Sequence, residues 1–94
     1  MLSRVAAGDP VSYLTLRSGT EVFSVDGKRV GVVQRVLRDD KANIFDGIVV
    51  DTRLGPGGLR FVDAPEVAEM REGAVRLSIP ADEVDRLPKP GRRR

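Results

Sequence analysis

Two runs of residues rich in Val, residues 20–25 and 29–38, flank Asp26-Gly27 and predict a β-hairpin. Residues 20–25 are typical of a half-buried strand in which Phe23 and Val25 face the core. Asp26-Gly27 predicts a tight turn of type I′, because both central residues of that turn need positive φ, which Asp and Gly tolerate. Residues 29–38 then return as the second strand of the hairpin.

The returning strand changes phase part-way along. Its apolar residues fall into two sets of opposite parity, Val30, Val32 and Val36 in one and Val33 and Leu37 in the other. Gly31 lies near the break. A glycine inside a strand often marks a β-bulge, which would reset the face that points inward. The sequence therefore predicts a structural turn at Asp26 and Gly27 and a bulge at Gly31.

Further segments of the chain also favour strands. They are residues 44–51, 59–62, 67–71 and 74–79. Residues 48–50 form an almost continuous apolar run, as expected of a strand that is covered on both sides. The polar stretch "DDKAN" at 39–43 and the glycine-rich stretch "LGPGGL" at 54–59 predict connecting loops.

Five or six short strands with glycines at the corners predict a small all-β barrel, because an open sheet of this size would leave two edges unpaired and one face bare. The segment "PADEVDRLP" at 80–88 predicts a C-terminal helical turn that packs Val84 and Leu87 across the mouth of the barrel. The expected core consists of Phe23, Val33, Ile48, Val50, Leu59, Phe61, Val75 and Leu77.

The chain divides into three parts. Residues 1–13 form a lead-in, residues 14–88 the barrel, and "KPGRRR" at 89–94 an end that we expect to be disordered because it combines Pro, Gly and like charges. The whole chain has 94 residues, a length that is typical of one small domain. No apolar run approaches the roughly 18 residues that a membrane-spanning helix needs. We therefore expect a cytoplasmic protein that does not insert into a membrane.

The residue types present limit the chemistry that the chain can perform. It contains no His and no Cys, which removes the commonest general base, the commonest transition-metal ligand and all thiol chemistry. A chain this short also offers little room for a deep cleft. We therefore expect no catalytic residues, no metal and no cofactor.

The positive charge is concentrated at the C-terminal end. The net charge is +2, but four of the 16 basic residues lie among residues 89–94, which leaves 12 basic against 14 acidic residues in the rest of the chain. The barrel itself is thus slightly acidic. The candidate nucleic-acid contacts are Lys89, Arg92, Arg93 and Arg94, because each cation can release counterions from phosphate.

Three other groups of residues have a functional and a structural interpretation. Asp39, Asp40 and Asp46 could bind a hard cation, although acids also favour a polar turn. The glycines of residues 54–59 could cradle a phosphate, but they lack the spacing of a P-loop. The arginines of the strands would form an anion- or RNA-binding patch only if they cluster on one face. These arginines are Arg29, Arg35, Arg53, Arg60, Arg71 and Arg76.

The order of these features resembles the PRC-barrel family, named for the H subunit of photosynthetic reaction centres and including a barrel of the bacterial ribosome maturation factor. The resemblance covers about residues 14–87. It rests on Val25, Asp26-Gly27, Val30-Gly31, Val33, Val36-Leu37 and Asp39, then "FDGIVVD" at 45–51 and "VRLSIP" at 75–80. It implies a small barrel without a catalytic residue that docks onto other proteins.

The expected function is a non-catalytic protein–protein interaction module that docks onto a partner protein or onto itself as a homo-oligomer. The alternative is an RNA- or ribosome-associated accessory factor that acts through its arginines and basic tail. The sequence does not identify the partner or the pathway.

Overall fold

The computed structural model describes residues 13, 15–39, 44–53 and 58–90. Six strands follow one another along the chain: β1 (Glu21–Phe23), β2 (Arg29–Asp39), β3 (Ile44–Asp51), β4 (Leu59–Asp63), β5 (Val67–Arg71) and β6 (Ala74–Leu77). A 3-10 turn, Ala64–Glu66, joins β4 to β5, and one short helix, α1 (Ala81–Val84), follows β6. No described helix has the length and apolar character needed to cross a membrane.

All six strands belong to one sheet, in the order β4-β3-β2-β1-β6-β5. Every neighbouring pair is antiparallel except β1 and β6, which are parallel. Two antiparallel units, β2-β3-β4 and β5-β6, are therefore joined through β1. The turn Ala64–Glu66 lies against β3. The predicted small all-β barrel of five or six strands with a C-terminal helical turn is confirmed, and the number of strands is six.

The β1–β2 hairpin is present, but its turn differs from the prediction. Gly27 has φ +84°, whereas Asp26 does not have positive φ. The Gly27 N–H donates to the Ser24 carbonyl oxygen at 3.0 Å, and the Ser24 N–H donates to the Lys28 carbonyl oxygen at 2.8 Å. This is a type I turn followed by a left-handed glycine, the usual three-residue hairpin loop. The type I′ prediction is wrong, because one extra residue in the loop transfers the left-handed conformation to the glycine alone.

The phase of β1 is also opposite to the prediction. Val22 and Ser24 are fully buried, Phe23 is half-buried, and Val25 is 48% exposed. The parallel neighbour explains the phase, since Val22 pairs with Val75, a fully buried residue of β6. The expectation that Phe23 and Val25 face the core is therefore wrong.

One buried cluster fills the barrel. It contains Val22, Val33, Ile48, Val50, Val62, Val75, Leu77 and Val84. Five of the eight expected core residues belong to it, while Phe23 and Leu59 are only half-buried. Phe61 is buried but lies on the opposite face of the β3–β4 ladder, where it pairs with buried Val49. Both faces of β3 are thus covered, as its continuous apolar run predicts.

A bulge in β2 lies beside Gly31. Val22 pairs with Gly31, but Phe23 pairs with Arg29, so Val30 is the extra residue of β2. Gly31 also lies directly against the end of β3. A Cβ atom on Gly31 would overlap the carbonyl oxygen of Asp51. The glycine therefore allows two strand backbones to approach more closely than any side chain would permit.

The segment after β6 covers one end of the barrel. Val84 of α1 is buried in the core cluster, and Leu87 packs against that cluster. The Phe61 N–H of edge strand β4 donates to the Pro88 carbonyl oxygen at 2.7 Å. This segment is part of the barrel up to Pro88. The predicted loops at 39–43 and 54–59 fall largely outside the described residues, and Asp39 itself belongs to β2.

The two glycines of the β1–β2 region should differ in their tolerance of a methyl group. Gly27→Ala adds only the strain of a left-handed residue, because no atom lies within 4 Å of the new Cβ. We expect it to lower the free energy of unfolding by about 1 kcal/mol. Gly31→Ala must push apart β2 and β3, and we expect a loss of at least about 2 kcal/mol. Urea denaturation measures both, and equal losses would contradict the close approach at Gly31.

Candidate functional site

The tip of the β1–β2 hairpin contains a buried hydroxyl group. Ser24 is fully buried, and its hydroxyl donates to the Asp26 carboxylate. The same oxygen accepts the Lys28 N–H at 3.1 Å. The hydroxyl is therefore used as both donor and acceptor within the turn. This explains how a polar side chain occupies a core-facing position, since a buried hydroxyl without partners would destabilise the fold.

Asp26 also connects the hairpin tip to the C-terminal helix. Its carboxylate accepts the Ala81 N–H at 3.3 Å, at the start of α1. Next to it, the Val25 N–H donates to the Ile79 carbonyl oxygen at 2.9 Å. The hydrogen bond from Ser24 is the main reason why the pKa of Asp26 is held below its usual value, and the Ala81 N–H and Lys28 act in the same direction. The predicted turn residues Asp26 and Gly27 thus lie at a junction of three chain segments.

A second group of residues lies on the outside of the sheet. Phe23 pairs with Arg29 of β2 on one side and with Arg76 of β6 on the other. Glu69 of β5 pairs in turn with Arg76. These residues alternate with core residues on their strands and so point away from the barrel interior. We define the outer face as Glu21, Phe23, Arg29, Glu69, Arg71 and Arg76.

Ion pairs connect the charged residues of the outer face. Arg29 donates to Glu21 at 3.1 Å. Glu69 accepts from Arg76 at 3.0 Å and from Arg71 at 3.2 Å. The hydrogen bonds from Arg76 and then Arg71 hold the pKa of Glu69 below its usual value. All five side chains are between 34% and 50% exposed, so each pair contributes little to stability.

The six arginines predicted as a possible RNA-binding patch do not lie together on one face. Arg29, Arg71 and Arg76 meet on the outer face, where carboxylates accompany them. Arg60 on edge strand β4 donates to the Asp85 carbonyl oxygen at 3.4 Å. Arg53 follows β3 with φ +64°, and its N–H donates to the Asp51 carboxylate at 2.8 Å. Arg35 is exposed on β2. An RNA-binding patch would need the arginines to share one face. Only Arg29, Arg71 and Arg76 do so, and glutamates accompany them there.

Two shallow grooves border the outer face. One has a volume of about 210 Å³ and contains Arg17, Thr20 and Arg71 among its lining residues. The other has a volume of about 260 Å³ and extends from Arg29 to Val84 of α1. In the part of the chain that the structure describes, no three acidic residues are arranged to hold a metal ion. Asp40, one of the three aspartates considered as a cation site, lies outside the described residues.

The model of the PRC-barrel domain family matches residues 11–85, which is most of the chain. The chain belongs to the PRC-barrel family. A comparison with curated proteins gave no match. The matched residues of this PRC barrel include the turn at Asp26 and Gly27, the bulge at Gly31 and the whole outer face.

The candidate nucleic-acid contacts lie beyond the match to the PRC-barrel family. Lys89 is exposed and follows Pro88, the last residue bonded to β4. Arg92, Arg93 and Arg94 lie outside the described residues. The sequence pattern does not reveal the outer face, because it predicts Phe23 in the core. Its three hydrogen-bonded ion pairs join residues of adjacent strands or of one strand, so correct strand phases would have revealed it.

The stability of this PRC barrel should depend on the charge of Asp26. A carboxyl group with a lowered pKa stabilises the fold above its unfolded pKa of about 3.9, and this contribution is lost as the pH falls through the folded pKa. Asp26→Asn keeps an oxygen that can accept from Ser24 and Ala81 but removes the charge. We expect wild type to be the more stable protein at about pH 6, with the difference shrinking towards about pH 2.

Urea denaturation of both proteins across this pH range measures the difference. The subtraction cancels the contribution of Glu69, whose lowered pKa acts in the same direction in both proteins. A stability difference that stays constant across the range would contradict the role given to the Asp26 carboxylate.

Proposed function

We propose that this PRC barrel is a non-catalytic interaction module that docks onto another protein or onto a second copy of itself. It acts in the cytoplasm and needs no cofactor. The family resemblance implies docking as a role. The observation that carries the proposal for this chain is the outer face, where one aromatic ring lies between charged side chains on an exposed sheet surface.

The composition of the outer face suits protein recognition. Aromatic and arginine residues are enriched where proteins contact one another, and binding energy concentrates in an apolar centre with a polar rim. Phe23 is such a centre, and Arg29 and Arg76 flank it on the neighbouring strands. The exposed ion pairs around it cost little to rearrange when a partner binds.

The side chains of Ser24, Asp26 and Glu69 form hydrogen bonds that stabilise the fold, and these structural roles support a non-catalytic function. The Ser24 hydroxyl donates to Asp26 and accepts from Lys28 within the turn. Asp26 and Glu69 both have lowered pKa values, so they are ionised hydrogen-bond acceptors at neutral pH. A general acid or base near neutral pH would need a carboxyl group with a raised pKa.

The proposal is tested by capture and reconstitution. The full chain is immobilised, exposed to nuclease-treated extract of its own cells, and the proteins that bind are identified and purified. We expect one of them, or the chain itself, to bind the purified chain saturably with a defined stoichiometry in calorimetry. The same calorimetry compares the binding of Phe23→Gln, which should be weaker than that of wild type, with the binding of Ile44→Gln, which should be unchanged. Ile44 is a matched control because it is an apolar residue that is 56% exposed and lies off the outer face. If no purified protein binds saturably, the proposal is wrong.

A second candidate function is binding of RNA through the basic tail and the arginines. It is favoured by the sequence of residues 89–94, which contains four cations and no acid. Within the barrel, Arg29 and Arg76 each have a carboxylate at about 3 Å, which weakens the attraction for phosphate. Any RNA affinity should therefore depend mainly on Lys89, Arg92, Arg93 and Arg94.

A chain that ends at Pro88 separates the two candidate functions. It keeps Leu87 and the Pro88 oxygen that accepts from Phe61, so we expect nearly unchanged stability. RNA binding, if the full chain shows any, should fall and lose most of its salt dependence, because each phosphate contact adds about −0.7 to the log–log slope for single strands. Salt titrations of both chains with a fluorescent oligonucleotide measure this. Equal affinity and equal slope would place the RNA contacts in the barrel and favour the second function.

A further inference from the structure

We propose that residues 85–88 form a strap that blocks the edge of the sheet at β4, and that lifting the strap opens this edge to pairing with another chain. The strap is a contact within one chain, so the inference does not depend on a partner for the outer face. It gives the segment after α1 a role in keeping barrels apart.

Strand β4 presents a regular edge. It pairs with β3 along its whole length without a bulge. The Phe61 N–H points away from β3, because it donates to the Pro88 carbonyl oxygen on the open side at 2.7 Å. Alternate residues of an antiparallel ladder point the same way, so Leu59 and Asp63 also turn main-chain groups outward. A straight edge rich in apolar residues is a template for pairing with another strand.

The opposite edge of the sheet is protected by its own geometry. The register between β5 and β6 shifts between Val67 and Glu69, so Ala68 is an extra residue that forms a bulge. A bulge twists an edge strand and disrupts the ladder that another strand would join. The strap therefore covers the edge that has no bulge of its own.

Side chains of the same chain bond to both ends of the β4 edge. The Asp63 N–H donates to the Glu66 carboxylate at 3.2 Å. At the other end, the Leu59 carbonyl oxygen accepts from the Arg60 guanidinium at 3.0 Å. Phe61 lies between these two positions, and there the strap itself provides the bond. Each of the three outward-facing residues thus has a main-chain group that is already bonded within the chain.

The strap ends the sheet and does not extend it. Its bond to β4 is made by Pro88, which has no N–H to donate to a ladder. Pro90, two residues further along, lacks this donor as well. The strap can therefore accept a hydrogen bond from the edge without becoming a seventh strand with an open edge of its own.

The strap is held by one apolar anchor and one polar contact. Leu87 is half-buried and packs against the core cluster, which contains Val84 from the end of α1. Arg60 of β4 donates from Nε to the Asp85 carbonyl oxygen at 3.4 Å. Leu87 is the one large apolar side chain of residues 85–88, so its loss should release the strap while all six strands remain.

The test compares two variants of the full chain, Leu87→Ser and Leu16→Ser. Leu16 is the matched control, because it is also a half-buried leucine that packs against the core cluster, and it lines the groove that contains Thr20 and Arg71. We expect Leu87→Ser to associate at least about tenfold more tightly than wild type in sedimentation equilibrium up to about 0.5 mM. Leu16→Ser should behave as wild type does.

Hydrogen exchange followed by NMR shows whether β4 is the edge that pairs. The Phe61 amide should be protected in wild type. In dilute Leu87→Ser it should lose this protection, while the amide of Ile48 in the interior of the sheet keeps it. Protection of Phe61 should return as the variant is concentrated, because strands of other copies are the only ones available in a purified sample.

Association of Leu87→Ser that is no tighter than that of Leu16→Ser would overturn the inference, and so would association that leaves the Phe61 amide open to exchange. If Leu87→Ser does not fold, Leu87→Ala and Leu16→Ala replace the pair. An unprotected Phe61 amide in wild type would also overturn the inference, because the strap would then not cover the edge. The capture experiment remains a separate test of docking through the outer face.

Discussion

A strand of three residues holds this barrel together. β1 pairs with β2 on one side and with β6 on the other, and within the described sheet it alone connects the β2-β3-β4 unit to the β5-β6 unit. Its pairing with β6 is parallel and joins residues more than fifty positions apart in the chain. Such long-range pairing is costly in entropy, so a short strand needs further support. The support comes from the hairpin tip, where Val25 and Asp26 bond to the segment that begins α1.

The pairing of β1 with β6 also decides which side chains of β1 are exposed and so available for function. The pairing of β1 with β6 turns Val22 and Ser24 inward, and Ser24 can enter the core because its hydroxyl is satisfied within the turn. Phe23 must then point outward, between arginines of the neighbouring strands. The outer face is thus a consequence of how the barrel closes. A substitution that weakens the closure should also disturb the surface from which we infer docking.

The sequence predicts those parts of the fold whose signals are local. The bounds of β3, the glycine of the hairpin turn, the bulge near Gly31 and the helical turn after Pro80 each follow from residues that are close together in the chain. The phase of β1 does not, because apolar residues occur at both parities in residues 22–25. Only its pairing with β6 decides between them. The prediction that Phe61 shares the core cluster with Ile48 is wrong for a similar reason, since Phe61 and Val62 are both buried but on opposite faces of β4.

We infer that β1 makes one cooperative unit of the two parts of the sheet, and native-state hydrogen exchange measures this cooperativity. Exchange of the amides of β3 and of β6 is measured in rising concentrations of denaturant, for wild type and for Asp26→Ala. We expect both groups of amides to exchange with the same free energy of opening, and Asp26→Ala to lower both free energies by the same amount. If the β6 amides exchange at a lower free energy than those of β3, or if only they respond to the substitution, the two parts unfold separately and the claim is wrong.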